Sequence, residues 1–189
     1  MDMNVNKKTN MMVMAALMIC LIVLATMFFK MPIPMTHGYV HMGDAMVFVS
    51  MLVLGRKYGA AAAAVGSAMG DIFGGFAIWA PWTLAAKGGM VLIAATVIMR
   101  CAGSERKNHL LLGVPLHQFV AMTCGGLYMA AVYYLAEGLM YGNWIVPLVA
   151  GVPWNIAQFA VGIVIAVVIE KALAATPAKK FLYEGMLLK

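Results

Sequence analysis

The sequence predicts an all-α integral membrane protein, and three observations support that fold class. The chain has 189 residues, of which 64% are hydrophobic and only 11% are charged, whereas a soluble domain carries roughly 25% charged residues. Its apolar residues fall into six segments, and a helix of about 20 such residues crosses a bilayer. Lys and Arg lie mostly in alternate connections between these segments. Together they predict one membrane domain over residues 1–189 with six transmembrane helices.

The predicted spans follow one another through short connections. The first ends near residues 27–30 without a small-residue cleavage site, so we expect a retained span rather than a signal peptide. The loop 30–41 is broken by proline and glycine, and we expect it to lie outside and to cover a site. The third span has Gly66, Gly70 and Gly74 at every fourth position, a spacing that lets two helices approach closely. The predicted boundaries are about 10–29, 42–54, 59–76, 83–100, 116–136 and 152–171.

The basic residues predict the orientation in the membrane. Cytoplasmic segments are enriched in Lys and Arg, and here the connections before span one and after spans two, four and six contain Lys7, Lys8, Arg56, Lys57, Arg100, Arg106, Lys107, Lys171, Lys179, Lys180 and Lys189. Both termini are therefore expected in the cytoplasm, with the loops around residues 39, 79 and 144 outside. The net charge of +6 therefore comes from segments that we expect at the lipid surface, and we expect no nucleic-acid partner. We expect the plasma membrane of a prokaryote.

Polar residues inside the apolar segments predict a site near the outer face. An ionisable group in hydrocarbon costs several kcal/mol and usually marks function. Helix rise puts Asp71 about 18 Å from the inner turn at Gly59 and Lys87 about 20 Å from Arg100, so both lie in the outer third. As a purely structural alternative, Asp71 and Lys87 pair only with each other. The residues predicted at this depth are His41, Asp44, Asp71, Lys87, Glu137, Asn155 and Gln158.

Aromatic residues complete the predicted cup. The four tryptophans are near the outer face, and we expect Trp79 and Trp82 to line the pocket rather than only to anchor the protein in the interface. Aromatic rings suit a flat heteroaromatic ligand, and acid and amide groups suit ring nitrogens and hydroxymethyl groups. The few cations disfavour a phosphorylated ligand. We expect no cofactor and no metal, since the cysteines have neither disulfide nor metal-ligand spacing.

Five short motifs follow one another in a fixed order along the chain. They are His-Met-Gly-Asp at 41–44, Leu-Gly-Arg-Lys-Tyr-Gly at 54–59, Gly-Ser-Ala-Met-Gly-Asp at 66–71, Trp-Ala-Pro-Trp-Thr at 79–83 and Lys-Gly at 87–88. This ordered set resembles the substrate-binding S components of energy-coupling-factor (ECF) vitamin transporters. Within that family the chain looks most like the hydroxymethylpyrimidine and pyridoxine branch, which is often grouped with riboflavin S components.

The resemblance implies a subunit that captures a vitamin outside the cell and releases it inside. Its partners would be a transmembrane coupling subunit and two ATPase subunits. The chain has no G-x-x-x-x-G-K-[ST] motif, so we expect a transporter subunit that is not an enzyme. The family's small-residue docking surface corresponds here to Ala16 and Cys20.

Three other interpretations stay open from the sequence. Riboflavin is the second choice of ligand, because the larger branch includes its transporters. A different class is an intramembrane aspartyl protease, since Asp44 and Asp71 each follow Met-Gly and two carboxylates can share a proton and activate water. A channel or scaffold is the third, although a cup without a polar inner path argues against a channel.

Overall fold

Five long helices make up most of the structure, a computed structural model that describes residues 2–28, 30–33, 39–101, 110–111 and 114–182. They are α1 (Asp2–Phe28), α2 (Gly43–Phe73), α3 (Ala80–Cys101), α4 (Leu116–Tyr141) and α5 (Val152–Ala174). All five are long and apolar enough to cross a membrane. The basic residues Arg106, Lys107 and Lys189 and the side chain of Lys7, which entered the orientation argument, lie outside the described part.

Short elements connect the helices. Two antiparallel hairpins pair β1 (Lys30–Pro32) with β2 (Tyr39–His41) and β3 (Leu110–Leu111) with β4 (Val114–Pro115). A 3-10 turn at Ala77–Trp79 precedes α3, a π-helical turn at Pro147–Gly151 precedes α5, and a second 3-10 turn at Pro177–Phe181 follows it. The loop expected at residues 30–41 thus has strand pairing at both ends.

Helix α2 reverses direction at Gly55. This residue has φ 71° and ψ −162°, a non-helical conformation inside Gly43–Phe73. A Cβ built on Gly59 would lie 3.0 Å from the carbonyl oxygen of Ser50, whereas nine residues of continuous helix would separate these positions by about 13 Å. The two halves therefore pack against each other, and α2 contains most of the predicted spans 42–54 and 59–76, although it begins one residue later and ends three residues earlier than predicted.

The glycine stripe brings α2 against α1, as its spacing predicts. A Cβ on Gly66 would lie 3.0 Å from Ile22 Cβ, and one on Gly70 would lie 2.8 Å from Thr26 Cγ2. Larger side chains at either position would push the helices apart.

The helices form a closed arrangement around α2. Helix α2 packs on α1, α3 and α5, and α4 packs on α3 and α5. The first half of α2 is almost entirely buried, with Val47, Phe48, Met51 and Leu52 fully buried. Helix α1 is peripheral, and one of its faces is exposed. Burial of α2 and α5 places Asp44, Asp71, Asn155 and Gln158 inside the protein.

Candidate functional site

A buried ion pair lies at the base of the site. Lys87 Nζ on α3 donates to Asp44 Oδ1 on α2, and both side chains are fully buried. Gln158 Nε2 on α5 donates to the other carboxylate oxygen of Asp44 at 2.9 Å, and Met129 Sδ on α4 lies 2.7 Å from Lys87 Nζ. A buried ion pair needs such further contacts to offset its desolvation. Lys87 pairs with Asp44, and the Asp71–Lys87 pair considered from the sequence does not form.

His41 ties the first hairpin to this base. Its backbone N–H donates to Gln158 Oε1 at 2.9 Å, and its ring Nδ1 accepts from the Gly43 N–H at 3.0 Å. Burial, reinforced by the positive charge of Lys87, lowers the pKa of His41 to about 3. The imidazole is therefore neutral at physiological pH, as its acceptor role at Nδ1 requires.

Tyr39 holds the same hairpin over Asp71. The Tyr39 hydroxyl donates to Asp71 Oδ1, and its ring packs on Phe76 with centroids 4.4 Å apart. Burial and the negative charge of Asp71 raise the pKa of Tyr39 above its usual range, so the hydroxyl stays protonated and remains a donor. Lys30 Nζ lies 5.0 Å from the Tyr39 ring centroid, a cation–π distance.

A small pocket lies between the hairpin and the ends of α2 to α5. Its free volume is about 30 Å³, which holds water but not a vitamin. In the pocket wall, Thr83 Oγ1 and Tyr133 Oη lie 3.0 Å apart in a hydrogen bond, and the Trp79 ring meets Tyr133 edge-on. The lining residues are Ile33, Tyr39, His41, Asp71, Trp79, Thr83, Tyr133, Glu137, Asn155 and Gln158.

Two acidic groups and one amide face this pocket with unused bonding capacity. Asp71 Oδ2 is buried and has no hydrogen-bond partner among the described residues. The Glu137 side chain lies near Gly151, where an added Cβ would be 3.2 Å from Oε1. Asn155 Nδ2 donates to the Gly151 carbonyl at 3.0 Å, so its Oδ1 can serve a ligand. The pocket wall is rich in acceptors.

The structure brings together most of the residues predicted from sequence. Those that line the pocket are His41, Asp71, Trp79, Glu137, Asn155 and Gln158. Asp44 and Lys87 lie beneath it and reach it through Gln158. Trp82 is half-buried and is not in the lining. Ala16 and Cys20 are exposed on α1. A ligand role for the lining residues and for Asp44 and Lys87, and a docking role for Ala16 and Cys20, stay predictions, whereas Trp82 is no longer expected to contact the ligand because it lies outside the lining.

The sequence prediction missed four lining residues, the apolar Ile33 and the hydroxyl-bearing Tyr39, Thr83 and Tyr133. Residues four apart on a helix share a face, and Thr83 precedes Lys87 by four positions as Tyr133 precedes Glu137. Counting one helical turn back from Lys87 and from Glu137 would have identified Thr83 and Tyr133. Tyr39 had no such signal, since its position depends on the pairing of Pro32 with Tyr39 across the hairpin.

A second polar contact lies near the opposite ends of α4 and α5. Gln118 Nε2 donates to Glu170 Oε2 at 2.6 Å, and both side chains are buried. The sequence predicts no comparable polar set at this end of the helices. This hydrogen bond joins α4 to α5.

The two aspartates do not form a protease-like dyad. Asp44 contacts Lys87 and Gln158, whereas Asp71 contacts Tyr39, so the two carboxylates occupy separate hydrogen-bond networks. A shared proton requires direct contact between carboxyl groups. Among the described residues, no group of three or more His, Cys, Asp or Glu side chains could hold a metal ion.

The sequence matches a family model over nearly its whole length. Residues 6–175 match the model described as ECF-type riboflavin transporter, S component. The chain belongs to this family of ECF transporter S components. Family membership makes it a membrane transport protein. S components work with the membrane and ATPase subunits of the ECF transporter, and the family is generally non-enzymatic.

Two individual proteins are similar to this S component. An uncharacterized protein in a gap 3′ region of Pyrococcus woesei is 32% identical over 133 residues, which cover 69% of this chain and 86% of the relative. A solved S component of a bacterial ECF transporter superposes with a TM-score of 0.69 at 16% identity, covering 89% of this chain and 97% of that one. The structural match supports the fold assignment.

Proposed function

We propose that this S component captures a small, unphosphorylated pyridine or pyrimidine vitamin, of hydroxymethylpyrimidine or pyridoxine type, at the outer face of a prokaryotic plasma membrane. The observation that carries the proposal is the combination of Trp79, Tyr133 and Tyr39 with Asp71, Glu137 and Asn155 around one pocket. Aromatic rings can sandwich a flat heterocycle, and the polar groups can read its nitrogens and hydroxyls.

The charge of the pocket supports an unphosphorylated ligand. Among the described lining residues there are two carboxylates and neither Lys nor Arg, and Lys87 is already paired with Asp44. A phosphate group would meet like charge and would find no guanidinium or ammonium partner. Phosphorylated forms of the vitamin should therefore be rejected.

The size of the pocket implies that the hairpin moves when ligand binds. A free volume of about 30 Å³ is far below the roughly 300 Å³ of an open ligand site. The β1–β2 hairpin carries Tyr39 and His41 into the pocket, so lifting it would enlarge the site. Breaking the Tyr39–Asp71 hydrogen bond is the step that we expect to accompany entry.

For the topology we propose six crossings, with α2 contributing two that meet at Gly55 and with both termini in the cytoplasm. The reversal of α2 and the basic residues support this arrangement. Cysteine introduced by Asn143→Cys should react with an impermeant thiol reagent added to intact cells. Reaction only in inverted vesicles would contradict the orientation. The parent cysteines Cys20 and Cys124 are exposed along spans, so a cysteine-free background is the control.

We further propose that the exposed face of α1 with Ala16 and Cys20 docks on the transmembrane coupling subunit, which two ATPase subunits drive. Both residues are small and exposed, so a partner helix can approach closely. Ala16→Leu together with Cys20→Leu should abolish assembly and ATP-dependent uptake while ligand binding by the isolated chain persists. Loss of binding as well would indicate misfolding rather than a docking role.

Ligand binding is tested by titration of two lining residues. Glu137→Gln and Asn155→Ala should each leave a folded protein and weaken binding of hydroxymethylpyrimidine or pyridoxine, since a lost polar contact costs about 1–3 kcal/mol. Ser67→Ala is the matched control, because Ser67 is buried on α2 but outside the pocket lining. If both lining variants bind as tightly as the parent, this pocket is not the binding site.

A further inference from the structure

We infer that Asp71 selects a positively charged, amidine-like edge on the ligand, which favours a protonated aminopyrimidine over a pyridine; this inference rests on the function proposed above. Asp71 is 3% exposed, lines the pocket and retains a buried oxygen, Oδ2, without a hydrogen-bond partner among the described residues. An unpaired buried carboxylate oxygen is costly, and a ligand that donates to it would remove that cost.

The contacts around Asp71 include no ion pair among the described residues. Tyr39 supplies one hydrogen bond to Oδ1. The Thr83 hydroxyl also interacts with the carboxylate and lies 3.0 Å from the Tyr133 hydroxyl. Lys87 pairs with Asp44 and Lys30 lies over the Tyr39 and Phe76 rings, so both attract Asp71 without pairing with it. A cationic ligand would give Asp71 the direct ion pair that it lacks.

Glu137 gives the pocket a second negative group. It is 4% exposed and belongs to the same lining, while the one histidine of the lining, His41, is neutral at physiological pH. The described lining thus carries two carboxylates and no balancing cation. Such a wall attracts a cation and repels an anion. Both effects are stronger in a partly desolvated site than in water.

The geometry of a carboxylate favours a planar donor with parallel N–H groups. Charge-assisted pairs of this kind are shorter and stronger than neutral hydrogen bonds. A 4-aminopyrimidine protonated at N3, the ring nitrogen beside the amino group, presents a ring N–H and an exocyclic N–H on one edge. A protonated pyridine bearing hydroxymethyl groups presents a single ring N–H with hydroxyl donors. Trp79 and Tyr133 would hold either ring, so the edge facing Asp71 decides between them.

Benzamidine and benzamide test the charge preference without any assumption about the vitamin. The benzamidinium ion is planar and cationic at neutral pH, and benzamide is its neutral counterpart of nearly the same shape. The purified protein in detergent is titrated with each probe, and binding is measured by calorimetry or ligand-observed NMR. Benzamidinium should bind at least about tenfold more tightly than benzamide, as a hydrogen bond to a charged group implies. Equal binding, tighter binding of benzamide, or no binding of either probe would overturn the inference.

Substitutions assign the preference to Asp71. Asp71→Asn keeps an acceptor for Tyr39 and removes the charge, so the ratio of the two affinities should fall close to one. Ser67→Ala, four residues earlier on α2 and fully buried with an unpartnered hydroxyl, should keep the parent ratio. If Asp71→Asn does not fold, Glu137→Gln must lower the ratio for the inference to hold. The inference is overturned if the variant that folds, Asp71→Asn or in its place Glu137→Gln, keeps the parent ratio of the benzamidinium and benzamide affinities.

A parallel titration with hydroxymethylpyrimidine and pyridoxine separates this inference from the proposed function. If benzamidinium is preferred and neither vitamin binds, the charge selection stands and the proposed substrate class fails. If a vitamin binds but the two probes bind equally, the substrate class stands and the role assigned to Asp71 fails.

Discussion

Lys87 on α3 pairs with Asp44, which lies 43 positions earlier on α2, and not with the nearer Asp71. This pairing divides the acidic residues by role. Asp44 is saturated by Lys87 and Gln158 and serves the packing of three helices. Asp71 keeps an unpartnered oxygen within the described structure and faces the pocket.

Removing Asp44 should destabilise the protein more than removing Asp71. Asp44→Asn leaves the fully buried Lys87 without its carboxylate, which costs about 3–5 kcal/mol. Lys87→Met combined with Asp44→Asn should recover most of this loss. Asp71→Asn, the matched control, leaves the ion pair intact. Thermal or denaturant unfolding in detergent measures these differences. Equal stability of the Asp44 variant and the parent would contradict the role of the pair.

Much of this site follows from the sequence, for physical reasons that can be named. Polar and ionisable residues at one depth in apolar segments are expected to face a shared protein interior rather than lipid. This expectation identified Asp71, Glu137 and Gln158, which line the pocket. Their partners were harder to predict, because helix rise gives depth but not rotation. Depth alone allowed Lys87 to pair with Asp71, whereas the rotation of α2 and α3 directs it to Asp44.

The hairpin was the least predictable part. Residues 30–41 carry prolines and a glycine, which excluded a helix but did not identify strand pairing. The register of Lys30 with His41 places Tyr39 over Asp71, a contact between residues 32 positions apart. Likewise, the turn around Gly55 was expected from its sequence, but its tightness depends on the contact of Gly59 with Ser50.

Trp79 and Trp82 should differ in their effect on ligand binding. Trp79 is buried and lines the pocket, so Trp79→Ala removes a stacking surface worth about 0.5–1.5 kcal/mol beyond its buried area. Trp82 lies outside the lining, and Trp82→Ala should bind hydroxymethylpyrimidine or pyridoxine as the parent does. Isothermal titration of both folded variants measures the difference. A larger loss for the Trp82 variant would show that the ligand lies elsewhere.

His41 should make the protein less stable at mildly acidic pH. Its pKa is lowered to about 3 in the folded state, compared with about 6.5 in an unfolded chain. Between these values the unfolded chain binds the extra proton, so stability falls as the pH falls, by up to about 1.4 kcal/mol per pH unit. The slope is half its maximum at about pH 6.5 and fades over about one further pH unit, where the unfolded histidine also loses its proton.

Replacing His41 alone isolates this effect from the other three histidines of the chain and from the carboxylates that face the same region, Asp44 and Asp71 among them. His41→Asn keeps an acceptor for the Gly43 N–H and cannot be protonated in this range. Unfolding midpoints measured from pH 7.5 to 4.5 should decline less steeply for His41→Asn than for the parent. Parallel pH profiles would refute the assignment of a buried neutral histidine.

Gly55 should tolerate no side chain. Its φ of 71° and ψ of −162° lie in a region that only glycine adopts readily, and forcing another residue there costs about 1–3 kcal/mol. Gly55→Ala should therefore lower the unfolding midpoint and the yield of folded protein. Gly88→Ala is the control, because its added Cβ would meet only ordinary contacts, the nearest at 3.4 Å. Two variants of equal stability would exclude a tight reversal at Gly55.

The measurement that tests the central claim most directly is native mass spectrometry of the protein purified in mild detergent without added ligand, repeated after incubation with hydroxymethylpyrimidine, pyridoxine and riboflavin. The account predicts a one-to-one complex with hydroxymethylpyrimidine or pyridoxine, weakened by Glu137→Gln and unchanged by Ser67→Ala. A complex with riboflavin alone, or the absence of any vitamin complex from the folded protein, would contradict it.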